Sequence, residues 1–152
     1  MADIFMSYSR HDRERAEQLA KALSAHGWTV WWDRKIIAGA SFDTMIEKEL
    51  DAAKCVVVLW SQAAVDSEWV KNEAAAAMEH ETLVPVLIEN VRLPIEFRRR
   101  QTIDLSGWDG NANDLALTSL IDGIAAKWGS PATPASHVDL SPSPNVVRKR
   151  RS

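Results

Sequence analysis

The run Cys55 to Trp60, CVVVLW, is apolar at every position. A strand with one wet face alternates apolar with polar residues, so six apolar residues in succession predict a strand covered on both sides, as in a parallel sheet packed between helices. Other short apolar stretches, at Asp3 to Tyr8, Trp28 to Trp32, Leu83 to Ile88 and Thr102 to Leu105, alternate with longer segments of helical period. That alternation predicts an α/β fold in three layers.

Over Asp12 to His26, residues Ala16, Leu19, Ala20 and Leu23 recur on one helical face, and Gly27 closes the helix. Further helices are predicted from about Ser41 to Ala53, with Ser41 as N-cap, and from a Ser67 cap through Trp69, Glu73, Ala77 and Met78. The last helix is predicted over Asn113 to Trp128, with Leu117, Leu120, Ile121 and Ile124 facing inward. Pro85 lacks a ladder donor and argues against full pairing of the fourth strand, and residues 89 to 100 read as a charged loop. The expected architecture is a flavodoxin-like fold with a five-stranded parallel sheet in the order 2-1-3-4-5, which binds ligands outside the carboxyl ends of the strands. Three segments should converge there beside strand 1: the turn Ser7 to His11, the loop Asp33 to Ser41, and the first turns of the Ser67 helix.

At roughly 100 to 200 residues per domain, a chain of 152 residues holds one domain. Residues 129 to 152 carry four of the six prolines and four Lys/Arg against one acid, so the overall charge of −3 divides into +3 on this tail and −6 on residues 1 to 128. The division predicts a folded domain over 1–128 followed by a Pro/Ser-rich basic linker or disordered tail over 129–152. An acidic body lacks the basic face that a nucleic-acid binder needs, so Arg98-Arg99-Arg100 and the terminal RKRR read as a solvated loop and tail, with no nucleic acid expected. No apolar run approaches the ~20 residues of a membrane helix, and MADIFMSYSR has no basic region followed by a long apolar stretch, so no secretory leader is expected. The lone Cys55 reads as a small core residue and cannot form an internal disulfide. These features predict a soluble cytoplasmic protein with no membrane partner.

Common chemical signatures are missing. No glycines are spaced G-x-G, which excludes the dinucleotide fingerprint and the P-loop. His11, His26, His80 and His137 have no metal-ligand spacing with one another or with Cys55, so no metal is expected. Ser9, His11 and Asp12 imitate a triad only in composition, since chain neighbours rarely point at one another. A phosphoryl-accepting receiver domain shares the topology but needs clustered acids after strand 1, where this chain has Ser7, Tyr8, Ser9 and Arg10.

Three stretches in register carry a more specific signal: DIFMSYSRHD, GWTVWWDRKIIAGASF and SEWVKNE. At these residues the chain resembles the TIR (Toll/interleukin-1 receptor) domain family over about residues 3 to 128. The resemblance equates Asp33 to Ser41 with the family's BB loop, and Trp69-x-x-x-Glu73 with the motif that carries the glutamate of its enzymatic members. Ala38-Gly39 stands where animal adaptors of the family usually have Pro-Gly, which points to the bacterial, NAD-cleaving branches. The resemblance implies Glu73 as the catalytic residue. It also implies Ser9, Arg10 and Ile37 as contacts to NAD+, which would be the substrate, with no cofactor; Ser9 and Ile37 stand where enzymatic relatives often have a charged or aromatic contact. Arg10 has a physical rationale as well, because a cation at the amino end of a helix suits a pyrophosphate; the plain alternative is an exposed surface arginine.

Helical spacing places Trp69 and Glu73 on one face, while Val70, Ala74, Ala77 and Met78 turn another, apolar face to the sheet, so Glu73 is expected to point sideways into the crevice. The plain alternative is a solvated glutamate. Strand alternation sends Trp28 and Trp32 to one face and Trp31 to the other; Trp32 and the adjacent Asp33 are the expected pocket edge, Trp60 a second candidate, and Trp108 and Trp128 structural. The expected function is an NAD+ glycohydrolase effector domain, activated when the BB loop of one copy meets a neighbour, in bacterial anti-phage defence and joined to a sensor domain. The alternative is a non-enzymatic module that binds other TIR domains through the same loop and interferes with or relays signalling.

Overall fold

The computed structural model describes residues 3–32, 42–98, 102–111 and 113–129. A five-stranded parallel sheet runs in the order β2-β1-β3-β4-β5, with β1 (Ile4–Ser7), β2 (Val30–Trp31), β3 (Cys55–Trp60), β4 (Leu83–Leu87) and β5 (Ile103–Asp104). The expected topology is therefore the observed one. The helices are α1 (Arg13–Ser24), α2 (Phe42–Ala52), the single turn α3 (Gln62–Val65), α4 (Glu68–Glu79) and α5 (Leu115–Trp128).

The alternation of side chains along the strands divides the core into two. Ile4, Met6, Val57 and Leu59 point to one face, where Leu19 and Leu23 of α1 and Leu117, Leu120, Ile121 and Ile124 of α5 cover them. Phe5, Val56, Val58 and Trp60 point to the other, where they meet Ile46 of α2 and Val70, Ala74 and Ala77 of α4. Every residue of β3 is fully buried, as its unbroken apolar run demands. The tryptophans of the second strand divide as the period-two rule requires: Trp28 and Trp32 pack on the first face, and Trp31 stacks on Phe5 on the second with ring centroids 5.1 Å apart. Burial holds the Cys55 thiol, with a further push from the charge of Asp3, up to about 12.

Several boundaries differ from the sequence reading. The second strand is two residues rather than five, because only Val30 and Trp31 pair with β1. Helix α1 begins at Arg13, after a 3-10 turn over Arg10–Asp12, and ends in a turn in which Gly27 takes φ +102°, a region that glycine enters without a Cβ clash. The stretch after β3, for which the sequence predicts no helix, contains α3, where the Ser61 hydroxyl accepts from the Ala64 N–H at 3.1 Å. Asp114 caps α5 by accepting from the N–H groups of Ala116 and Leu117. The proposed Ser41 cap lies outside the described residues, as does the tail from 130 onward.

Pro85 pairs within β4, opposite Val58. In a parallel ladder successive N–H groups point to alternate neighbours. Ile88 donates to Trp60 of β3, whereas the Leu87 carbonyl accepts from Leu105 on the β5 side, so Pro85, in phase with Leu87, also faces β5. The β4–β5 ladder begins only at Val86 and Ile103, and the missing donor costs no bond within it. The charged loop, in turn, contains a buried anchor: a 3-10 turn over Ile95–Phe97 drives Phe97 fully inside against Trp60, ring centroids 5.3 Å apart.

Candidate functional site

The carboxyl ends of β1 and β3 gather the polar residues that the two cores exclude. Ser7, Ser9, Ser61 and Glu73 are the buried polar or charged side chains among the described residues. Ser7 ends β1 on the same face as Phe5, one turn of the pleat further on, and therefore looks toward α4. Its hydroxyl donates to Oε1 of Glu73 at 2.6 Å. Helix α4 starts where it does because the Ser67 hydroxyl accepts from the Val70 N–H at 3.2 Å, which places Glu73 in the second turn.

Glu73 is only 4% exposed. Its position corrects the expectation of a sideways glutamate: Val70, Glu73, Ala74 and Ala77 form one buried stripe at i, i+3, i+4 and i+7, while Met78 is half-buried. Trp69, which was expected to share its face, is 38% exposed on the first turn of the helix. A solvated surface glutamate is thereby excluded.

A second short contact ties the neighbouring loops together. Ser61, fully buried at the end of β3, donates to Oδ2 of Asp12 at 2.5 Å. Asp12 closes the 3-10 turn, and Ser9 caps that turn by accepting from the His11 N–H at 3.4 Å. Ser9, His11 and Asp12 thus serve turn geometry and do not form a triad. Arg10 is exposed on the same turn. Glu89, after β4, accepts from the Gln62 N–H at 2.8 Å and so joins the third loop at this edge.

Burial raises the Asp12 carboxyl above its usual range; the Ser61 hydrogen bond opposes this, the nearby Glu89 adds to it, and the charges of His11 and Arg15 oppose it. A carboxyl raised in the folded state contributes stability that is complete below the unfolded value and is lost as pH rises through the folded one. Asp12→Asn, which keeps an acceptor for Ser61 but cannot ionise, is therefore expected to gain melting temperature relative to the wild type as pH climbs from 3 to 7. A thermal-melt series over that range checks the sign, and a relative loss over the same interval would show that the Asp12 charge is net stabilising.

Trp32 lies just past β2. Its carbonyl accepts from the Tyr8 hydroxyl at 2.5 Å, and the Arg13 guanidinium sits 4.9 Å over its ring. This places the ring on the α1 side of the sheet, whereas Glu73 enters from the α4 side. Trp60 is fully enclosed in the second core and lines no open surface. Asp33, Ile37 and the rest of the loop to Ser41 lie outside the described residues. Of the three segments expected to converge, the turn after β1 and the start of α4 meet through Ser7 and Glu73. The sequence places Ser7 only within a converging turn and gives Ser61 no role, because a serine at the end of an apolar strand looks like a tolerated small residue; for Ser7 and Glu73 the polar break in the otherwise apolar rows of β1 and α4 is the available signal.

A groove of about 430 Å³ opens at the opposite end of the sheet, lined by Leu83, Pro85, Ile103, Leu120, Ile124 and Trp128 among others. Its one titratable lining residue is Lys127, whereas the carboxyl edge holds the carboxyl groups of Asp12, Glu73 and Glu89. Among the described residues no group of three or more His, Cys, Asp or Glu could hold a metal ion, and no helix is long and apolar enough to cross a membrane.

A doubly wound α/β domain with its polar residues at the carboxyl edge beside strand 1 is the class that this geometry defines. The TIR domain family model matches residues 4–121, and the chain belongs to that family. Among solved structures it is similar to the TIR domain of the Toll-related receptor TRR-2 from Hydra magnipapillata, at 17% identity and a TM-score of 0.71, covering 82% of this chain and 98% of that one. It is also similar to a metazoan TIR-STING receptor from C. gigas, solved in complex with 2',3'-cGAMP, at 24% identity and a TM-score of 0.68. That match covers 88% of this chain and 41% of the receptor, so the chain spans less than half of the receptor's length. At these identities the likeness is one of fold. No curated protein matches the sequence significantly.

Proposed function

We infer that this domain is an NAD+ glycohydrolase in which Glu73 is the catalytic group. The observation that carries the reading is the buried Glu73 carboxyl, set into an otherwise apolar helix stripe at the carboxyl edge of the sheet and met there by Ser7. A glutamate used only for packing or solubility has no reason to be there, because burying a carboxylate costs stability that an apolar side chain would not.

The chemistry needs few groups. The nicotinamide nitrogen of NAD+ already carries positive charge, so the bond from ribose C1′ to that nitrogen breaks with both electrons going to nitrogen, and nicotinamide leaves neutral without a general acid. Positive charge then develops on the ribose, as in glycoside hydrolysis, and a carboxylate against the sugar stabilises it by charge and by accepting from its hydroxyls. Water adds through oxygen at C1′ and releases a proton to give ADP-ribose; attack by the adenine instead gives a cyclic product. Arg10 and Ser9 on the turn after β1 would meet the pyrophosphate side, and Asp33, Ile37 and Trp69 the flanks, while Trp32, on the α1 side, would brace that turn through Tyr8 and Arg13.

Self-association through the loop Asp33 to Ser41 would complete the pocket, in an NAD-depleting response such as anti-phage defence. A sensor domain joined through the basic tail would supply the signal. The test is nicotinamide release by the purified protein over a wide concentration range with and without crowding agents. Turnover that rises more steeply than protein concentration is expected. NAD+ left intact under every condition would overturn the enzymatic reading and leave an interaction module that binds other TIR domains.

A further inference from the structure

We propose that Ser7 is the positioning residue of Glu73, fixing the orientation of its carboxylate through the hydroxyl it donates; the proposal deepens the NAD+-cleaving reading and rests on it. Two of the four buried polar residues at this edge are bonded to each other across the β1–α4 interface. Both interrupt apolar rows, Ser7 after Phe5 on β1 and Glu73 between Val70 and Ala77 on α4. Filling the two positions with apolar residues would spare the cost of burying a carboxylate, so the pair is not explained by packing.

The control runs from serine to glutamate. Ser7 pairs in register with Val58 of the central strand β3 and is fully buried, so its single side-chain torsion is set by the sheet. Glu73 carries three torsions, and a long side chain of this kind has rotamer freedom to lose. A 2.6 Å hydrogen bond to Oε1 removes much of that freedom and lies in the short range expected when a hydroxyl donates to a carboxylate. With one oxygen held, the range of orientations open to the carboxylate is narrowed before any ligand arrives. That is preorganisation of a charge toward the place where positive charge will develop.

The test compares Ser7→Ala, Ser7→Thr and the wild-type chain in NAD+ turnover and in crystal structures. Misplacement of a reacting group by about 1 Å costs on the order of 10²-fold in rate, so Ser7→Ala is expected to lower kcat by about that factor. KM should stay within about twofold, since a group that acts in the transition state changes kcat rather than ground-state binding. Ser7→Thr, which keeps the hydroxyl, should restore most of the loss; a merely structural role would not be rescued in kcat alone. In the Ser7→Ala crystal the Glu73 carboxyl should leave its present position. Wild-type kcat in Ser7→Ala, or an unmoved Glu73 in its crystal structure, would overturn the proposal. A wild-type chain that cleaves no NAD+ would remove the enzymatic reading alone, because the crystallographic comparison still decides whether Ser7 orients Glu73.

Discussion

Glu73→Gln is expected to reduce nicotinamide release by about 10²- to 10³-fold or more, the usual scale for removing one preorganised electrostatic group from a site that excludes water. The substitution keeps the length and shape of the side chain, and its amide oxygen can still accept from the Ser7 hydroxyl that now reaches Oε1 at 2.6 Å. What it removes is the charge and one acceptor oxygen. Because Glu73 is 4% exposed, that charge is held at a desolvation cost, and its loss should leave the melting temperature unchanged or higher. The combination of lost turnover with retained or increased stability is the signature of a residue kept for function. Nicotinamide release by chromatography, read beside a thermal melt of the same preparation, provides both halves. Equal turnover by wild type and variant would remove Glu73 from the chemistry, whereas a large fall in melting temperature would make its role structural.

Phe97→Ala is expected to destabilise the domain by about 3–5 kcal/mol, the range for deleting a fully buried aromatic ring. At about 2–4 °C per kcal/mol for a domain of this size, the melting temperature should fall by roughly 10 °C. Phe97 is 0% exposed and packs against Trp60, which is itself fully enclosed. Its loss would open a void beside the largest buried side chain of the second core. The ring also ties down the segment between β4 and β5, where Arg98 Nε donates to the Leu93 carbonyl at 2.8 Å. Denaturant or thermal unfolding checks the prediction, and a change below about 1 kcal/mol would mean that the loop reseats without its anchor.

The two variants probe opposite relations between sequence and structure. Phe97 was hidden in a stretch of charges, where Glu96 and Arg98 mask a single inward residue; a 3-10 turn of three residues is too short to produce a periodic signal. The Trp69-x-x-x-Glu73 resemblance singles out Glu73, yet the helix turns it to the buried side. Spacing alone allows position 73 to join either Trp69 or the stripe of Val70, Ala74 and Ala77, and the angular difference between the two is small. Packing decided, because the buried stripe is where Ser7 offers a donor. The α3 turn was missed for the same reason as Phe97: four residues capped by Ser61 leave no repeat to read.

Strand order and core division, by contrast, were legible from residues 3 to 128. The unbroken run of β3 required cover on both faces, the alternation of Trp28, Trp31 and Trp32 assigned each ring to its side, and Leu117, Leu120, Ile121 and Ile124 marked the inner face of α5. Such features follow from burying apolar area at fixed periods, which depends on chain-local spacing and is therefore written in the sequence. Which polar side chains meet does not follow from spacing. Ser7 and Glu73 are 66 positions apart, and Asp12 and Ser61 are 49 apart. Each pair exists only because a parallel sheet brings the ends of β1 and β3 and the start of α4 to one edge, where distances of a few ångström are fixed by tertiary packing. The layers and the candidate glutamate are written in local spacing and motif; that the glutamate is buried against a serine follows only from the packing of distant segments.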